Sequence, residues 1–444
     1  MSVRVLQPAM HSDGKPEWPG AVWVGAIDED LIRTTAANTA ARLENGAGYR
    51  SARFLVRAGP RIRGFIELPV TDGHVGFRSL RAHMDALPAA LPPADAISLP
   101  QFTIVICTRD RAQRLRGALT SVLKLDYPDF DVVIVDNAAA STETIDMVAR
   151  EFASQRIRVV SEPTAGLSYA RNTGLRYASG TFVAYTDDDV VVDPHWLRGL
   201  ASGFARGDRV DCVCGLVPSG ELRSEVQAFF DARESWSRNL VAREYSLADP
   251  PKNLPMFPFS VGEFGTGANF ALRRTSALMM GGFDTAFGAG SPTGGGEDLD
   301  LFTRVLCGGA VLVVEPDAVV WHRHRSDLAA LRVQARGYGI GLGAWLTKIA
   351  LNPRTLTMAV RRSPGALLRL PKKGNSSRPP TRNAADVRDP APSTELTAAI
   401  SRVGWYVLAG VLKGPWWYFQ QRRAGEGVIP FVFRNKIVQR PPAA

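Results

Sequence analysis

From Phe102 onward, short apolar runs alternate with amphipathic stretches. Phe102–Cys107 (FTIVIC), Val132–Val135 (VVIV), Ile157–Val160 and Phe182–Tyr185 are runs of four to six β-branched or aromatic residues. Between them, Arg114–Leu123, Thr142–Phe152 and Ser168–Ala178 carry apolar residues at helical spacing. Strand, helix, strand in this order predicts βαβ units, and parallel strands buried on both faces read as unbroken apolar runs. The pattern predicts a mostly parallel sheet flanked by helices over 101–325. Residues 1–90 differ. There the β-rich runs Ala52–Arg57 and Ile62–Val70 flank Ala58-Gly59-Pro60-Arg61, a hairpin signal in a small β-rich N-terminal domain. The Pro-rich stretch 91–100 reads as a linker. Beyond Ser326 the order is looser. Arg332–Lys348 mixes helix formers with four glycines in a helical extension over 326–370. A flexible basic, Pro-rich linker follows over 371–394, then a C-terminal helical region over 395–444. Its helical run VGWYVLAGVLKGPWWYF is too short, and too broken by Lys413, Gly414 and Pro415, to span a bilayer.

Composition sharpens this picture. Hydrophobic residues are 45% and charged residues 22% of the 444, which supports a packed core and excludes wholesale disorder. The net charge of +10 is uneven: from Trp321 to the end there are 21 basic and 5 acidic residues, before it 32 basic and 38 acidic. A mildly acidic body thus carries a basic tail. Cys107, Cys212, Cys214 and Cys307 form no CxxC pair and sit in apolar runs, which predicts buried thiols in a reducing compartment. Cys212 and Cys214 share one strand face, where touching a metal is the minor reading. The first 25 residues lack an apolar signal-peptide core, and no stretch of about 18 uninterrupted apolar residues exists. The expectation is a cytoplasmic protein without a transmembrane helix.

In doubly wound sheets, ligands bind at the carboxyl ends of the strands. Here those ends read Thr108-Arg109-Asp110, Asp136-Asn137 and Thr186-Asp187-Asp188-Asp189. Three consecutive carboxylates repel one another unless a cation offsets them. Asp187 and Asp189 face the same way in an extended chain, and oxygen ligands suit Mg²⁺ or Mn²⁺. The plain alternative is an acidic turn before a helix, with Asp193-Pro194 as N-cap and first helical residue. A second cluster, Gly294-Gly295-Gly296-Glu297-Asp298, ends a mobile glycine loop (288–296) and opens a helix over Glu297–Cys307. Its acids either favour the helix dipole or accept a proton from a hydroxyl. His322, after the apolar run ending VVW, is either a core residue or a third ligand to Mn²⁺. Arg171, in the first turns of the helix after Gly166, meets either phosphate or a surface carboxylate.

In order, FTIVICTRDR, VVIVDN, GLSYARNTG, AYTDDDV, FGTGANFALRR, GGFDTAFG and GGGEDLDLF resemble glycosyltransferase family 2, inverting enzymes with the GT-A (Rossmann-like) fold. The likeness spans about Gln101–Arg325. From FGTGANFALRR to the Glu297-Asp298 pair it also resembles the C-terminal module of galactosyltransferase-like enzymes. The resemblance implies that Thr108 and Asp136 hold the nucleotide base and that Arg171 lies against the nucleotide. Asp187 and Asp189 are then the outer members of a DxD element binding Mn²⁺ or Mg²⁺ and the donor diphosphate, with Asp188 on the ribose as the alternative for the middle member. Asp298 is the implied catalytic base, with Glu297 beside it, and His322 a further metal ligand. One departure is Asp136-Asn137-Ala138-Ala139, where relatives often carry Ser or Asp.

The implied partners are a nucleotide-sugar donor and a hydroxyl acceptor, either a glycan or a lipid-linked or cell-envelope molecule. A sugar nucleotidyltransferase is the rival enzyme class, but it calls for a glycine-rich loop where this chain reads CTRDRAQRL. A nucleic-acid-binding protein is the second rival, prompted by the pI of 9.7. It calls for basic residues interleaved with aromatics on a folded face. Here they fall in a Pro-rich stretch, so no nucleic acid is expected. Two readings of the tail stay open. It makes a peripheral contact with anionic lipid on the cytoplasmic face of a membrane, or it is a solvated linker and a helix packed on the catalytic domain.

Overall fold

The computed structural model describes residues 4–90, 98–233, 240–367, 394–424 and 429–433. The flexible linker expected after residue 370 lies outside them up to residue 393, as do residues 91–97 of the first linker.

The first strands and helices are β1 (Arg4–Leu6), β2 (Val22–Asp28), α1 (Glu29–Thr34), β3 (Ala40–Leu43), β4 (Ser51–Ala58), β5 (Arg61–Pro69), β6 (His74–Gly76) and α2 (Phe77–Asp85). They make two three-stranded sheets, ordered β1-β3-β6 and β2-β4-β5. The hairpin signal becomes the antiparallel pair β4–β5, closing at Ala58↔Arg61. Gly59 (φ +56) takes the left-handed backbone that this turn requires. Phe54, Phe77, Ile32 and Leu80 form the core beneath. Val22, Val24 and Leu55 pack with Leu216, Val319 and Trp321 of the larger sheet. Buried Arg57 pairs with Asp193 at 2.9 Å, and Arg61 with Asp317 at 2.6 Å.

The larger sheet starts with β7 (Phe102–Thr108), α3 (Ala112–Val122), β8 (Phe130–Asn137), α4 (Glu143–Glu151), β9 (Ile157–Glu162), α5 (Leu167–Tyr177) and β10 (Phe182–Asp187). Each strand and helix falls where the apolar periodicity predicts it. The chain continues through β11 (Val190–Val192), α6 (Trp196–Phe204), β12 (Val210–Leu216), α7 (Glu225–Arg233), β13 (Arg243–Tyr245), β14 (Asn269–Arg273), α8 (Arg274–Met279), α9 (Glu297–Cys307) and β15 (Val311–His322). The strand order is β11-β15-β12-β14-β10-β7-β8-β9, with β13 also on β15. β9, β8, β7, β10, β12 and β15 run in one direction; β11, β13 and β14 oppose them. The expected α/β class is therefore what the chain adopts. Asp193 caps the turn leading into α6, its Oδ1 accepting from the His195 amide at 2.9 Å, but the helix itself starts at Trp196.

The C-terminal part is helical, as expected, and more regular than the looser order beyond Ser326 predicts. α10 (Leu328–Leu351), α11 (Pro353–Leu367) and α12 (Thr394–Ala424) are long, and α12 runs through Gly414 and Pro415. Tertiary packing outweighs the roughly 1 kcal/mol cost of a helical glycine and 3 kcal/mol or more for a proline. The α10 glycines are close-approach positions. A Cβ at Gly339 would meet the Val407 carbonyl at 2.3 Å, and one at Gly343 the Val411 carbonyl at 2.2 Å. On the opposite face, a Cβ at Gly341 would meet Gly295 at 2.7 Å. One helix thus holds α12 on one side and the loop before α9 on the other. That loop is also tied internally, Thr293 donating to the Ala286 carbonyl at 2.9 Å.

Candidate active site

Strand register delivers the site. In the β7–β8 pair Thr108 lies opposite Asp136, and in the β10–β7 pair Asp187 lies opposite Cys107, so three strand ends share one edge. After Asp187 the chain turns at once into β11, which runs antiparallel to β15 with Val190 opposite His322. This pairing carries Asp189 to the end of a strand more than a hundred residues away. Ligand atoms of Asp187, Asp189 and His322 all lie within 4.8 Å of one another. His322 Nε2 is 3.6 Å from Asp189 Oδ1.

Burial, together with Asp189 and Asp188, pushes the Asp187 carboxyl up to about 7 against the pull of Arg171. Burial lowers the His322 pKa, favouring the neutral imidazole that ligates metals. Two carboxylates and one imidazole could together hold a divalent metal ion.

Asp188, in the two-residue turn between β10 and β11, makes different contacts. Its Oδ2 accepts from buried Thr108 Oγ1 at 2.7 Å, and its Oδ1 lies 3.3 Å from Arg111 Nη1. Both Thr108 and Asp188, implied to meet the nucleotide, are thus engaged with each other. Asp136 is buried, its carboxyl raised chiefly by burial and by Asp110, and its Oδ1 has no hydrogen-bond partner among the described residues. A buried acceptor without a donor is costly, so Asp136 is suited to a donor from a bound molecule. Beside it, Asn137 donates to the carbonyls of Glu162 and Thr164 and accepts from the Gly166 amide, stapling β8 to the loop before α5. Asp110 (φ 52) and Ala138 (φ 46), in the loops after β7 and β8, hold left-handed backbone. Asp110 Oδ1 accepts from the Ala140 amide at 2.9 Å, tying those loops together.

Arg171 is buried rather than facing an open rim. Its guanidinium donates to the Gly267 carbonyl at 2.8 Å, pairs with Glu297 at 3.2 Å and lies 3.7 Å from Asp187. Burial lifts Glu297 toward its neutral form, as does Asp298, against Arg171. The α9 helix starts after Gly296 (φ 90) with Glu297 and Asp298 in its first turn. Asp298 Oδ2 accepts from the Gly267 amide at 3.2 Å. Asp298, Gly267, Arg171 and Asp187 therefore form a continuous chain of contacts, and both acidic clusters meet at one edge.

Two further cations went unrecognised in the sequence. Arg111 faces Asp188, and Arg114 Nη1 lies 3.3 Å from Asp189 Oδ2. Their signal was available: arginines three apart straight after a strand end in CTRDRAQR. Cys212 and Cys214 are buried with sulfurs 4.0 Å apart and join no metal-ligand group among the described residues.

The family model for Glycosyl transferase family 2 matches residues 103–276. The chain is 31% identical over 289 residues to the pre-mycofactocin glycosyltransferase of Mycobacterium tuberculosis (strain ATCC 25618 / H37Rv), covering 64% of this chain and 56% of that protein. It is 29% identical over 237 residues to the succinoglycan biosynthesis protein ExoM of Rhizobium meliloti (strain 1021), covering 51% and 69%. The chain thus spans little more than half the length of the first of these relatives. Among solved structures, the mannosyltransferase PcManGT from Pyrobaculum calidifontis, in complex with GDP-Man and Mn²⁺, is 19% identical with a TM-score of 0.43, over 73% of this chain and 91% of that one.

Proposed function

From the match of residues 103–276 to the glycosyltransferase family 2 model, we propose that the protein is a metal-dependent, inverting glycosyltransferase of that family. It takes a sugar from a nucleotide-sugar donor to a hydroxyl of a glycan or of a lipid-linked or cell-envelope acceptor. The observation that carries this reading is the meeting of Asp187, Asp189 and His322 at the edge to which Asp298 is joined through Gly267 and Arg171.

Asp187, Asp189 and His322 would hold the divalent ion, and Asp136 would accept a hydrogen bond from the nucleotide base. The ion, when bound, neutralises charge on the donor diphosphate. Asp298 takes the proton of the acceptor hydroxyl as that oxygen bonds to the anomeric carbon. The bond from that carbon to the diphosphate oxygen breaks in the same step, and its electron pair leaves with the nucleoside diphosphate. One displacement inverts the configuration. Arg171 is a positioning residue, holding Asp187 and Glu297 at fixed separation. Thr108 and Asp188 brace the strand ends.

The Asp298→Asn variant keeps the size of the side chain and its contact with Gly267 while removing the proton acceptor. Transfer should fall by at least about a hundredfold, the usual scale of general-base catalysis. Nucleoside diphosphate binding, followed calorimetrically with Mn²⁺ present, should survive. Transfer at the wild-type rate would remove Asp298 from its role.

A further inference from the structure

Helix α12 has two apolar faces, and among the described residues only one is packed against other elements. Val407, Gly410, Val411 and Gly414 abut α10. At about 100° per residue, Trp405, Leu408, Leu412, Trp416 and Phe419 line the roughly opposite side. There Trp405 is 71% exposed, Leu408 48%, Leu412 74%, Trp416 63% and Phe419 46%. A contiguous exposed stripe of this size marks an interaction surface.

Charge selects the partner. From Leu396 to Ala424 the helix contains no acidic residue, while Arg402, Lys413 and Arg423 are exposed along it. Trp rings prefer the layer where lipid headgroups meet acyl chains. No helix among the described residues is long and apolar enough to cross a membrane. An amphipathic helix with these features lies in the plane of the interface instead.

We propose that the outer face of α12 docks onto a membrane surface containing anionic lipid, with the stripe among the headgroups and the three cations over them. The helix is firmly joined to the candidate active site. Arg422 pairs with Asp284 at 2.5 Å, and Lys348 of α10 bridges Asp284 at 2.6 Å and Asp300 of α9 at 2.5 Å. Docking would therefore set the orientation of the edge bearing Asp298. The proposal stands on the stripe and its charge, independently of the sugar-transfer reading.

The test sediments the full chain with vesicles of phosphatidylcholine alone or mixed with phosphatidylglycerol. The wild type should pellet with the mixed vesicles and be released by salt. A W405S/L412Q/W416S variant should lose about tenfold or more in vesicle affinity, equivalent to 1.4 kcal/mol. It should keep the wild-type melting temperature and Mn²⁺–nucleotide binding. Should the triple variant fold poorly, R402E/K413E leaves the stripe intact and should likewise release the protein. Wild type remaining in the supernatant, or variants that pellet as well as wild type, would overturn the proposal. So would a solution dimer that the stripe variant converts to monomer, since a second copy would then cover the face. Loss of nucleotide binding with vesicle binding intact would count against the glycosyltransferase reading alone.

Discussion

Asp189 faces two basic groups, the His322 imidazole at 3.6 Å and the cationic Arg114 guanidinium at 3.3 Å. Arg114 is nearly half exposed, so solvent screens the pair and its worth stays below about 1 kcal/mol. It competes weakly with a divalent ion for the same oxygens. Arg114→Ala should accordingly tighten Mn²⁺ binding in the absence of nucleotide, by up to about fivefold on that energy. Asp189→Ala should abolish metal-dependent nucleotide binding. Calorimetric titration of Mn²⁺ with and without a nucleoside diphosphate checks both. Unaltered Mn²⁺ binding in Asp189→Ala would mean that Asp189 does not hold the metal. Arg171 lies at the other extreme of burial, and with Glu297 and Asp187 around it a truncation there would leave two carboxylates facing each other in a poorly solvated space.

Among elements, α10 makes close backbone contacts on two sides. Its alternating glycines let backbones touch on both sides, one set against α12 and the other against the loop that launches α9. Gly343→Leu would drive a side chain into the Val411 carbonyl, where even a Cβ stands at 2.2 Å. Overpacking of this kind costs about 1–3 kcal/mol. The expected result is a lower melting temperature and early proteolytic release of α12. Gly117 of α3 is the control, since a Cβ there meets nothing within 4 Å. Gly117→Ala should be neutral or stabilising by up to about 1 kcal/mol, as expected for an open helical position. Equal losses in both would show that the fit of α10 against α12 is not what stabilises the C-terminal helices.

Across the whole molecule, a buried charge network fastens α10 and α12 to α9. Lys348 sits between Asp284 and Asp300, Arg304 pairs with Asp300 at 2.7 Å, and Arg422 reaches Asp284. Breaking such a network at one member costs about 3–5 kcal/mol, because the remaining charges stay buried without a partner. Lys348→Met should fall in that range, measured by denaturant unfolding. Burial works to raise the Asp284 pKa, but Lys348 and Arg422 prevail and hold it below its ordinary 3.8. A depressed carboxyl contributes stability that is present above the unfolded value and lost as pH falls through the folded one. Hydrogen exchange in α10 and α12 should therefore accelerate below pH 3.8 in the wild type. In Asp284→Asn that acid-dependent increment should be reduced.

What the sequence determined by itself was everything set by short-range periodicity. The apolar runs marked β7 to β10, the glycine-proline turn marked the β4–β5 hairpin, and the change from glycines to Glu297 marked the start of α9. That Asp187 and Asp189 work together was expected from an extended chain, but residues 188–189 form a turn, and it is the turn into β11 that brings them together. Tertiary structure decided what depends on elements distant in the chain. β11 pairs with β15, and that alone brings Asp189 to His322. The burial of Arg171 against Glu297 and the pairing of Thr108 with Asp188 depend on how strands and helices stack. The continuity of α12 through Pro415 does too, because helix-breaking is a local tendency and the closely fitted backbone of α10 overrides it. Local propensity differs by fractions of a kcal/mol per ordinary residue, whereas packing sums many contacts over a whole face.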